Sequence, residues 1–326
     1  MPQRRTEPTI FGMAFFLGID AGGTHTRARL VDPHGQILGT GEAGPANTRV
    51  GLDAAFREIN AAWQSATKSA GLDEAALRSI QAGLGIAGLN RRGVLQSLRS
   101  HPFPFETIAF ASDAAIACIG AHDGADGGIV IVGTGSIGFG RVNGETIVVG
   151  GYGFPISDEG SGADLGLQAI RRCLWARDGR IAHSAMTHEL LAYFSDSAAE
   201  IIAWMDTANA TAFAAFAPMV MDHAGRGDAV AEPIVQESAQ RIDRLINTLF
   251  ERGVPQCCLM GGLAPRLREW LSVSVRSRLR EPLGDALSGA IHLARTRGLP
   301  PGQPVAPATQ TSRTAPSDDS NTKSAR

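Results

Sequence analysis

The chain has 326 residues, 44% of them hydrophobic, so it is long and apolar enough for two domains and a large buried core. Its formal net charge is −2, and 19% of its residues are charged. A surface this close to neutral argues against nucleic acid or an anionic membrane as the main partner.

Both ends of the chain are expected to lie outside the folded body, which should span about residues 14–298. Residues 1–13 lead into an apolar patch without a small-residue cleavage site, which predicts a disordered N-terminus and not a signal peptide. Met13 is an alternative start. Residues 299–326 are rich in Pro, Ser, Thr and Ala and predict a disordered tail. Since no apolar run reaches the roughly 20 residues of a membrane span, the expected compartment is the cytoplasm.

Four cysteines are present, and no two of them form a Cys-x-x-Cys pair: Cys118, Cys173, Cys257 and Cys258. Neither a disulfide framework nor a zinc site follows from this spacing, so buried reduced thiols are the expected state. The eight histidines show no metal-binding spacing either and are interpreted as surface or packing residues.

The first part of the chain predicts strands joined by a glycine turn, followed by a helix over 53–70. The helix is indicated by one apolar stripe: Ala55, Ile59, Ala62, Trp63 and Ala66. The other elements follow in order: strands at 15–20, 24–32 and 35–43, a buried strand at 79–88, a short helix near 92–100, a strand at 107–113 and a helix opening at Asp113.

The middle of the chain repeats the opening pattern. A buried strand at 127–132 ends in a second glycine turn, and Asn143-Gly144 predicts a hairpin between the next two strands. The remainder is predicted to be mostly helical, interrupted by one strand at 256–262. Two copies of one supersecondary unit imply two similar lobes with a cleft between them, at 14–118 and 119–298.

Two segments match the pattern G-x-G-x-x-G, at 83–88 and 133–138. A dinucleotide fingerprint must follow the first strand of a βαβ unit and open a helix. The second match leads into another strand, and the first comes late in its lobe. Neither is therefore interpreted as a nicotinamide or flavin site, and no standard P-loop motif is present.

The glycine turns are suited instead to holding phosphate. Gly22 and Gly23 lack Cβ atoms, so backbone N–H groups can approach phosphate oxygens, and Thr24 adds a hydroxyl. Asp20 ends the preceding strand, where a carboxylate can hold Mg²⁺ directly or through water. A second turn with glycine and hydroxyl side chains occurs at Thr134, Gly135 and Ser136. A third glycine turn follows a strand at Gly261 and Gly262. The alternative is a set of tight β-turns without a ligand.

These motifs together resemble those of a known superfamily. Residues 20–24, 133–136 and 261–262 are similar to the two phosphate motifs and the adenosine motif of actin, the sugar kinases and Hsp70. "GPANTRVG" (44–51), "SDA" (112–114) and "GGYGFPISDEGSGADLG" (150–166) resemble the branch of N-acetylglucosamine kinases and BadF-type ATPases, and the bacterial glucosamine kinases in particular. The resemblance spans about residues 14–295. It implies an α/β fold of two duplicated RNase-H-like (actin-like ATPase) lobes that bind ATP and Mg²⁺ in the cleft.

Asp113 is the candidate catalytic base. Phosphoryl transfer to a sugar hydroxyl needs a carboxylate near that hydroxyl, and Asp113 follows an apolar strand and opens a helix. Its expected place is the N-cap, where the helix dipole favours the ionised form. The alternative is a capping residue without a catalytic role.

Sugar recognition is assigned partly from residue chemistry and partly by resemblance. Asn47 and Thr48 offer donors and acceptors in a loop beside Gly44-Pro45. By resemblance, the residues that contact the sugar are Asn47, Asp113, Gly151, Tyr152 and Asp158, and Thr24 and Thr134 contact phosphates. Tyr152 and Ala87 stand where the vertebrate-like enzyme has Trp and Ser, which leaves N-acetyl specificity open.

The sequence as a whole predicts an ATP-dependent kinase of the 6-hydroxyl of D-glucosamine, with N-acetylglucosamine as the alternative acceptor. An activator ATPase and a non-catalytic sugar sensor are the more distant alternatives. An activator would hold an iron–sulfur cluster with cysteines, and no cysteine here follows such a loop pattern. A homodimer is one of the assemblies that the sequence leaves open.

Overall fold

The computed structural model describes residues 14–46, 48 and 51–297. The predictions for residues 1–13, for Asn47 and for the tail at 299–326 therefore lie outside the described residues. No helix in the described part is both long enough and apolar enough to cross a membrane.

Two five-stranded sheets form the framework of the molecule. The first sheet has the order β3-β2-β1-β4-β5 and the second β10-β9-β6-β7-β8. Their strands are β1 (Phe15–Ala21), β2 (Thr26–Val31), β3 (Ile37–Ala43), β4 (Ile80–Ile86), β5 (Thr107–Ser112), β6 (Gly127–Val132), β7 (Ser136–Val142), β8 (Glu145–Gly150), β9 (Cys257–Met260) and β10 (Leu279–Arg280).

The two sheets repeat one topology. In each sheet, three consecutive strands pair antiparallel. A fourth strand then pairs parallel with the first of the three, and a fifth pairs parallel with the fourth. Asn143 and Gly144 have φ values of 51° and 83°, and they form the predicted hairpin turn. The predicted fold of two duplicated RNase-H-like lobes is confirmed.

Thirteen α-helices are assigned among the described residues. They are α1 (Leu52–Ser69), α2 (Glu74–Leu77), α3 (Val94–Ser100), α4 (Asp113–Ala121), α5 (Gly162–Arg177), α6 (Ala185–Tyr193), α7 (Ala198–Met205), α8 (Ala210–Ala214), α9 (Ala217–Gly225), α10 (Ala231–Glu251), α11 (Ala264–Leu267), α12 (Val273–Arg276) and α13 (Ala286–Arg297). The predicted stripe of α1 is buried as expected. Sequence reasoning missed α2 and β10, because two to four residues carry too little periodicity to detect.

Two helices, α4 and α13, join the lobes. One face of α4 packs on the second sheet through Ala114, Ala117 and Cys118. Ile116 lies on another face and packs with Ala290 of α13. The predicted bounds assigned residues 119–298 to the second lobe, whereas α13 returns to pack on β1 and β4 of the first sheet. Chain order cannot reveal this return, since it is decided by which apolar surface the last helix covers.

An ion pair fastens α13 to the first lobe. Arg29 Nη2 of β2 lies 2.6 Å from Oδ2 of Asp285, just before α13. Burial alone raises the pKa of Asp285, but hydrogen bonds from Arg29 and Ser288 outweigh it and lower the pKa to about 2. The carboxylate therefore stays ionised and holds the start of the helix.

The four cysteines are buried and free. Burial raises the pKa of the Cys118 and Cys257 thiols to about 12 and of the Cys173 and Cys258 thiols to about 11. The predicted burial of the four thiols is confirmed.

Candidate active site

The parallel strands of the first sheet bring Asp20 and Asp113 to one edge. Asp20 pairs in register with Gly85 of β4, and the ends of β4 and β5 pair at Ile86 and Ser112. The Ala87 N–H donates to the Ala21 carbonyl at 2.9 Å, which extends the alignment past the strand ends. Since the carboxyl ends of parallel strands meet at one edge, residues far apart in sequence converge there.

Asp113 is the first residue of α4 and not its cap. The cap is Ser112, whose hydroxyl accepts the Ala115 N–H at 3.1 Å. The predicted N-cap position of Asp113 is therefore wrong by one residue, because the preceding serine competes for the same role. Asp113 Oδ1 instead accepts the neighbouring Ala114 N–H at 2.9 Å.

Burial raises the pKa of Asp113, and the negative charge of Asp20 raises it further. The hydrogen bond from the Ala114 N–H acts in the opposite direction and favours the ionised form. A carboxyl group with a raised pKa is a stronger proton acceptor than an exposed aspartate, which suits it to general-base catalysis.

Asp20 forms an ion pair with Arg27 of the neighbouring strand, β2. Arg27 Nη2 lies 2.6 Å from Asp20 Oδ2, with the Arg27 side chain 45% exposed and the Asp20 side chain 14% exposed. Asp20 and Arg27 pair across β1 and β2. An exposed ion pair of this kind contributes little to stability and can rearrange when a ligand arrives.

The turn after β1 presents its tip to solvent. The Gly22 N–H donates to the His25 carbonyl at 3.0 Å, and the Gly22 carbonyl accepts the Ala46 N–H at 3.1 Å. Gly23 and Thr24 are exposed. The backbone of Gly23 and the hydroxyl of Thr24 therefore lie where an anion can reach them.

Thr48 is buried, and its hydroxyl donates to the Ala87 carbonyl at 3.2 Å. This geometry ties the 44–48 loop to the end of β4, so it supports a role of Thr48 in holding the loop. The predicted direct contact with a sugar would need that hydroxyl to leave the Ala87 carbonyl.

The second glycine turn rests on the start of α5. The Gly162 N–H donates to the Gly133 carbonyl at 2.8 Å, and the Ala163 N–H donates to the Thr134 carbonyl at 3.1 Å. Thr134 is exposed at the tip of the turn. These bonds fix the turn to a helix end, and the Thr134 side chain stays exposed to solvent.

Ser136 differs from its prediction. Its side chain is buried, and its hydroxyl donates to the Glu159 carbonyl at 2.8 Å. It therefore links the 133–136 turn to the 150–160 loop.

The loop at 150–160 carries Asp158 to the second turn. A Cβ placed on Gly135 would lie 2.7 Å from Oδ2 of Asp158, so Gly135 is the residue that leaves room for this carboxylate. The same oxygen accepts the Phe154 N–H at 3.0 Å. Gly151 and Tyr152 are exposed on this loop, with Tyr152 77% exposed.

The third glycine turn adjoins the second at the end of β9. Gly261 has φ 101°, and a Cβ on it would lie 2.3 Å from the carbonyl oxygen of Val132, the last residue of β6. A side chain at 261 would therefore push the two turns apart. Gly262 is exposed, and no atom lies within 4 Å of the position that a Cβ on it would take.

The turns of the second lobe open at the same end of the molecule as Asp113. Helix α4 ends at Ala121 and β6 starts at Gly127, so α4 runs antiparallel to β6. The N-terminal end of α4 therefore lies beside the carboxyl end of β6, and Ile131 and Met260 pack in the same cluster as Ala114. Asp113, the 22–25 turn, the 133–136 turn and the 261–262 turn therefore lie at the same end of the molecule.

A metal ion at this site would need ligands from outside the protein. In the described part of the chain, no group of three or more His, Cys, Asp or Glu side chains could hold a metal ion. Mg²⁺ keeps several waters and binds through one or two carboxylates plus phosphate oxygens. The single carboxylate of Asp20 fits that mode and does not fit a closed protein cage.

Three charged side chains that hold Asp20 or the segment after Asp158 were missed by sequence reasoning: Arg27, Asp164 and Arg241. Asp164 lies in the first turn of α5, and Arg241 Nη1 reaches its Oδ2 at 2.5 Å from α10. The two are 77 positions apart, so no local pattern indicates the contact. Arg27 could have been found, because it stands opposite Asp20 in the predicted hairpin.

The chain is similar to amino-sugar kinases over most of its length. It is 36% identical to the glucosamine kinase GspK of Vibrio cholerae over 86% of this chain and 96% of that protein. It is 29% identical to the N-acetyl-D-glucosamine kinase of Dictyostelium discoideum over 73% of this chain and 79% of the relative.

Solved structures agree with this relationship. A Chromobacterium violaceum protein, provisionally named an N-acetylglucosamine kinase, superposes with a TM-score of 0.80 at 32% identity, covering 86% of this chain and 99% of that one. The model of the BadF/BadG/BcrA/BcrD ATPase family matches residues 17–292, which include the three glycine turns and all ten strands apart from the first two residues of β1. The chain therefore belongs to the BadF/BadG/BcrA/BcrD ATPase family.

Proposed function

We propose that the chain is an ATP-dependent amino-sugar kinase that converts D-glucosamine and ATP to D-glucosamine 6-phosphate and ADP. The observation that carries this proposal is the 36% identity across 96% of the Vibrio cholerae glucosamine kinase. The cleft supports it independently, because a carboxylate with a raised pKa lies among exposed glycine turns. A cytoplasmic location, where ATP is available, belongs to the same proposal.

Asp113 acts as the general base. Its ionised carboxylate accepts the proton of the sugar 6-hydroxyl, whose oxygen then forms a bond to the γ-phosphorus of ATP. The bond between that phosphorus and the β,γ-bridging oxygen breaks, and ADP leaves. Because the transition state is loose, positioning and charge stabilisation contribute most of the rate.

The glycine turns hold the phosphates. Thr24 and the backbone of Gly23 face them from the first lobe, and Thr134 and Gly135 face them from the second. Gly22, whose N–H and carbonyl bond to His25 and Ala46, shapes the first turn. Gly261 and Gly262 line the adenosine side. Mg²⁺, when bound, would neutralise part of the phosphate charge, and Asp20 is the residue that would hold it after leaving Arg27.

Asp158 and Asp113 hold the sugar from opposite lobes, with Asn47, Gly151 and Tyr152 as further contacts. N-acetylglucosamine is the second candidate acceptor, and the Dictyostelium relative favours it. Two carboxylates in the pocket favour the protonated amine of glucosamine, because an opposite charge stabilises an ammonium group.

Coupled measurement of ADP release tests the proposal. The purified full chain is assayed with ATP and each sugar in turn, and the product is identified by mass and by ³¹P–¹H correlation to carbon 6. A kcat/KM for glucosamine well above that for N-acetylglucosamine supports the proposal. ATP turnover that no amino sugar stimulates, or phosphate on another carbon, contradicts it.

A further inference from the structure

The turn that follows Asp158 is fastened by side chains of two helices. The Gly160 N–H donates to Asp164 Oδ2 of α5 at 2.8 Å, and the Gly160 carbonyl accepts the Ser238 hydroxyl of α10 at 2.8 Å. Both peptide groups of Gly160 are therefore held by side chains from different helices.

Gly160 itself is confined by its surroundings. It has φ 77°, and a Cβ on it would lie 2.7 Å from the Ser238 carbonyl oxygen. The backbone approaches α10 so closely that a small displacement of the turn would break its contacts. The position of the turn thus depends on the two side-chain hydrogen bonds.

Asp158 is joined to this turn by backbone hydrogen bonds. The Ser161 N–H donates to the Asp158 carbonyl at 3.1 Å, and the adjoining Glu159 carbonyl accepts the Ser136 hydroxyl at 2.8 Å. The 158–161 segment is therefore one bonded unit, which spans from the phosphate turn to α5 and α10. A shift at Gly160 would therefore displace the Asp158 backbone, from which the carboxylate extends.

Asp164 is largely buried, and its charge is balanced by Arg241. The residue is 9% exposed, and Arg241 Nη1 lies 2.5 Å from the same Oδ2 that accepts the Gly160 N–H. Gln168 Nε2 donates to the other oxygen at 3.2 Å. An unpaired carboxylate at this depth would be strongly unfavourable. The ion pair with Arg241 therefore allows the Asp164 carboxylate to be ionised here and to accept the Gly160 N–H.

We propose that Asp164, supported by Arg241, is a positioning residue of the sugar site, which holds Asp158 in place through the Gly160 N–H. The proposal rests on the proposed function, because it takes Asp158 as a sugar contact. Asp164 does not touch the reacting atoms. Its contribution is to keep the 158–161 segment in one conformation before the sugar binds, so that binding does not have to order it.

Two substitutions of Asp164 distinguish its role as a hydrogen-bond acceptor from the role of its negative charge. Asp164→Asn keeps an oxygen for the Gly160 N–H, whereas Asp164→Leu removes it while keeping the same branching at Cγ. We expect Asp164→Leu to raise the KM for glucosamine by about tenfold or more and to change the KM for ATP by less than that, since a displacement near 1 Å has effects of this size. Asp164→Asn should keep a glucosamine KM within about threefold of the wild-type value.

Hydrogen exchange measured by mass spectrometry gives a second readout that needs no activity. Peptides covering 150–161 should exchange faster in Asp164→Leu than in the wild type and the Asn variant. Arg266→Met is the control, because it breaks an ion pair with Asp222 of α9 that shares no residue with the Asp164 cluster, and it should leave both the loop and the KM unchanged.

Equal effects of the Leu and Asn variants, or an unchanged KM and exchange rate in the Leu variant, would overturn the proposal. If Asp164→Leu does not fold, Ser238→Ala replaces it, because it removes the other bond to Gly160 and should raise the same KM and exchange rate. Absence of kinase activity in the wild type would reject the proposed function, while the exchange comparison would still decide whether Asp164 holds the loop.

Discussion

At the scale of single residues, the protonation of Asp113 sets the chemistry. Its carboxyl group is partly buried beside the charge of Asp20, and desolvation and that charge both raise its pKa. The same environment makes the ionised carboxylate a stronger base. It also makes that ionised form, which catalysis needs, less stable than the protonated form.

Replacement of Asp113 by Asn should reduce kcat by roughly 10²–10⁴-fold, the usual contribution of a general base. The amide cannot accept the hydroxyl proton, but it keeps the size of the side chain. Steady-state kinetics at saturating glucosamine and ATP measure the loss, and circular dichroism checks the fold. A kcat near the wild-type value would remove Asp113 from the base role.

The same variant, Asp113→Asn, should be more stable than the wild type at neutral pH. The pKa of Asp113 is higher in the folded than in the unfolded chain, so the associated stability is complete below about pH 4 and is lost as the pH rises through the raised value. Urea unfolding between pH 4 and pH 8 should therefore show a stability advantage of the variant over the wild type that grows with pH. A difference that does not vary with pH would argue against a raised pKa.

At the scale of elements, the contact between α4 and α13 sets the relation of the lobes. The helices approach so closely that a Cβ on Gly289 would lie 1.8 Å from the Ile116 carbonyl oxygen, and one on Gly120 would lie 1.9 Å from the Asp285 carbonyl oxygen. These are backbone atoms, which cannot move without displacing a helix.

Substitution of Gly289 by Ala is expected to destabilise the fold by about 1–3 kcal/mol, the usual cost of overpacking. Gly225→Ala is the matched control, since Gly225 lies at the exposed end of α9 with nothing within 4 Å of the added Cβ. Chemical denaturation of both variants tests this. Equal stabilities would show that the helices separate without strain.

The ion pair between Arg29 and Asp285 should make the stability acid-sensitive. Since the pKa of Asp285 is lowered to about 2, its contribution is present above the unfolded value and is lost as the pH falls toward 2. Solvent screening limits it to about 1 kcal/mol, because the Asp285 side chain is 42% exposed. Asp285→Asn should unfold with less pH dependence between pH 4 and pH 2, as followed by tryptophan fluorescence.

At the scale of the whole molecule, the proposed sugar contacts are divided between the lobes. Asp113 belongs to the first and Asp158 to the second, while Tyr152 and Ile156 of the 150–160 loop are 77% and 84% exposed. Apolar surface this exposed beside a cleft is favourably buried when a ligand draws the lobes together.

Glucosamine is therefore expected to compact the molecule. Small-angle X-ray scattering of the full chain should give a smaller radius of gyration with glucosamine and a non-hydrolysable ATP analogue than without ligands. Hydrogen exchange in the 150–160 loop should slow under the same conditions. A radius and an exchange rate that stay unchanged at saturating sugar would mean that the lobes do not close.

Much of the fold could be predicted because the signals are local. The apolar, glycine-terminated strands around Ile19 and Val130 repeat in one order, and this duplication already implied two similar lobes. The glycine turns were also visible, since bare glycines between strands have few structural uses. Short elements such as α2 and β10 carry no comparable pattern, and they could not be found.

The amino-acid sequence by itself determined the paired lobes, the turns that end their strands and the acidic residue that follows β5. Only the tertiary structure decided that Ser112 caps α4, that α13 returns to the first sheet, and that the hydroxyls of Ser136 and Thr48 donate to backbone carbonyls. It also brought Arg241 to Asp164. The physical reason is that strands and turns are specified by neighbours in sequence, whereas hydrogen bonds and helix packing depend on which distant groups are buried together.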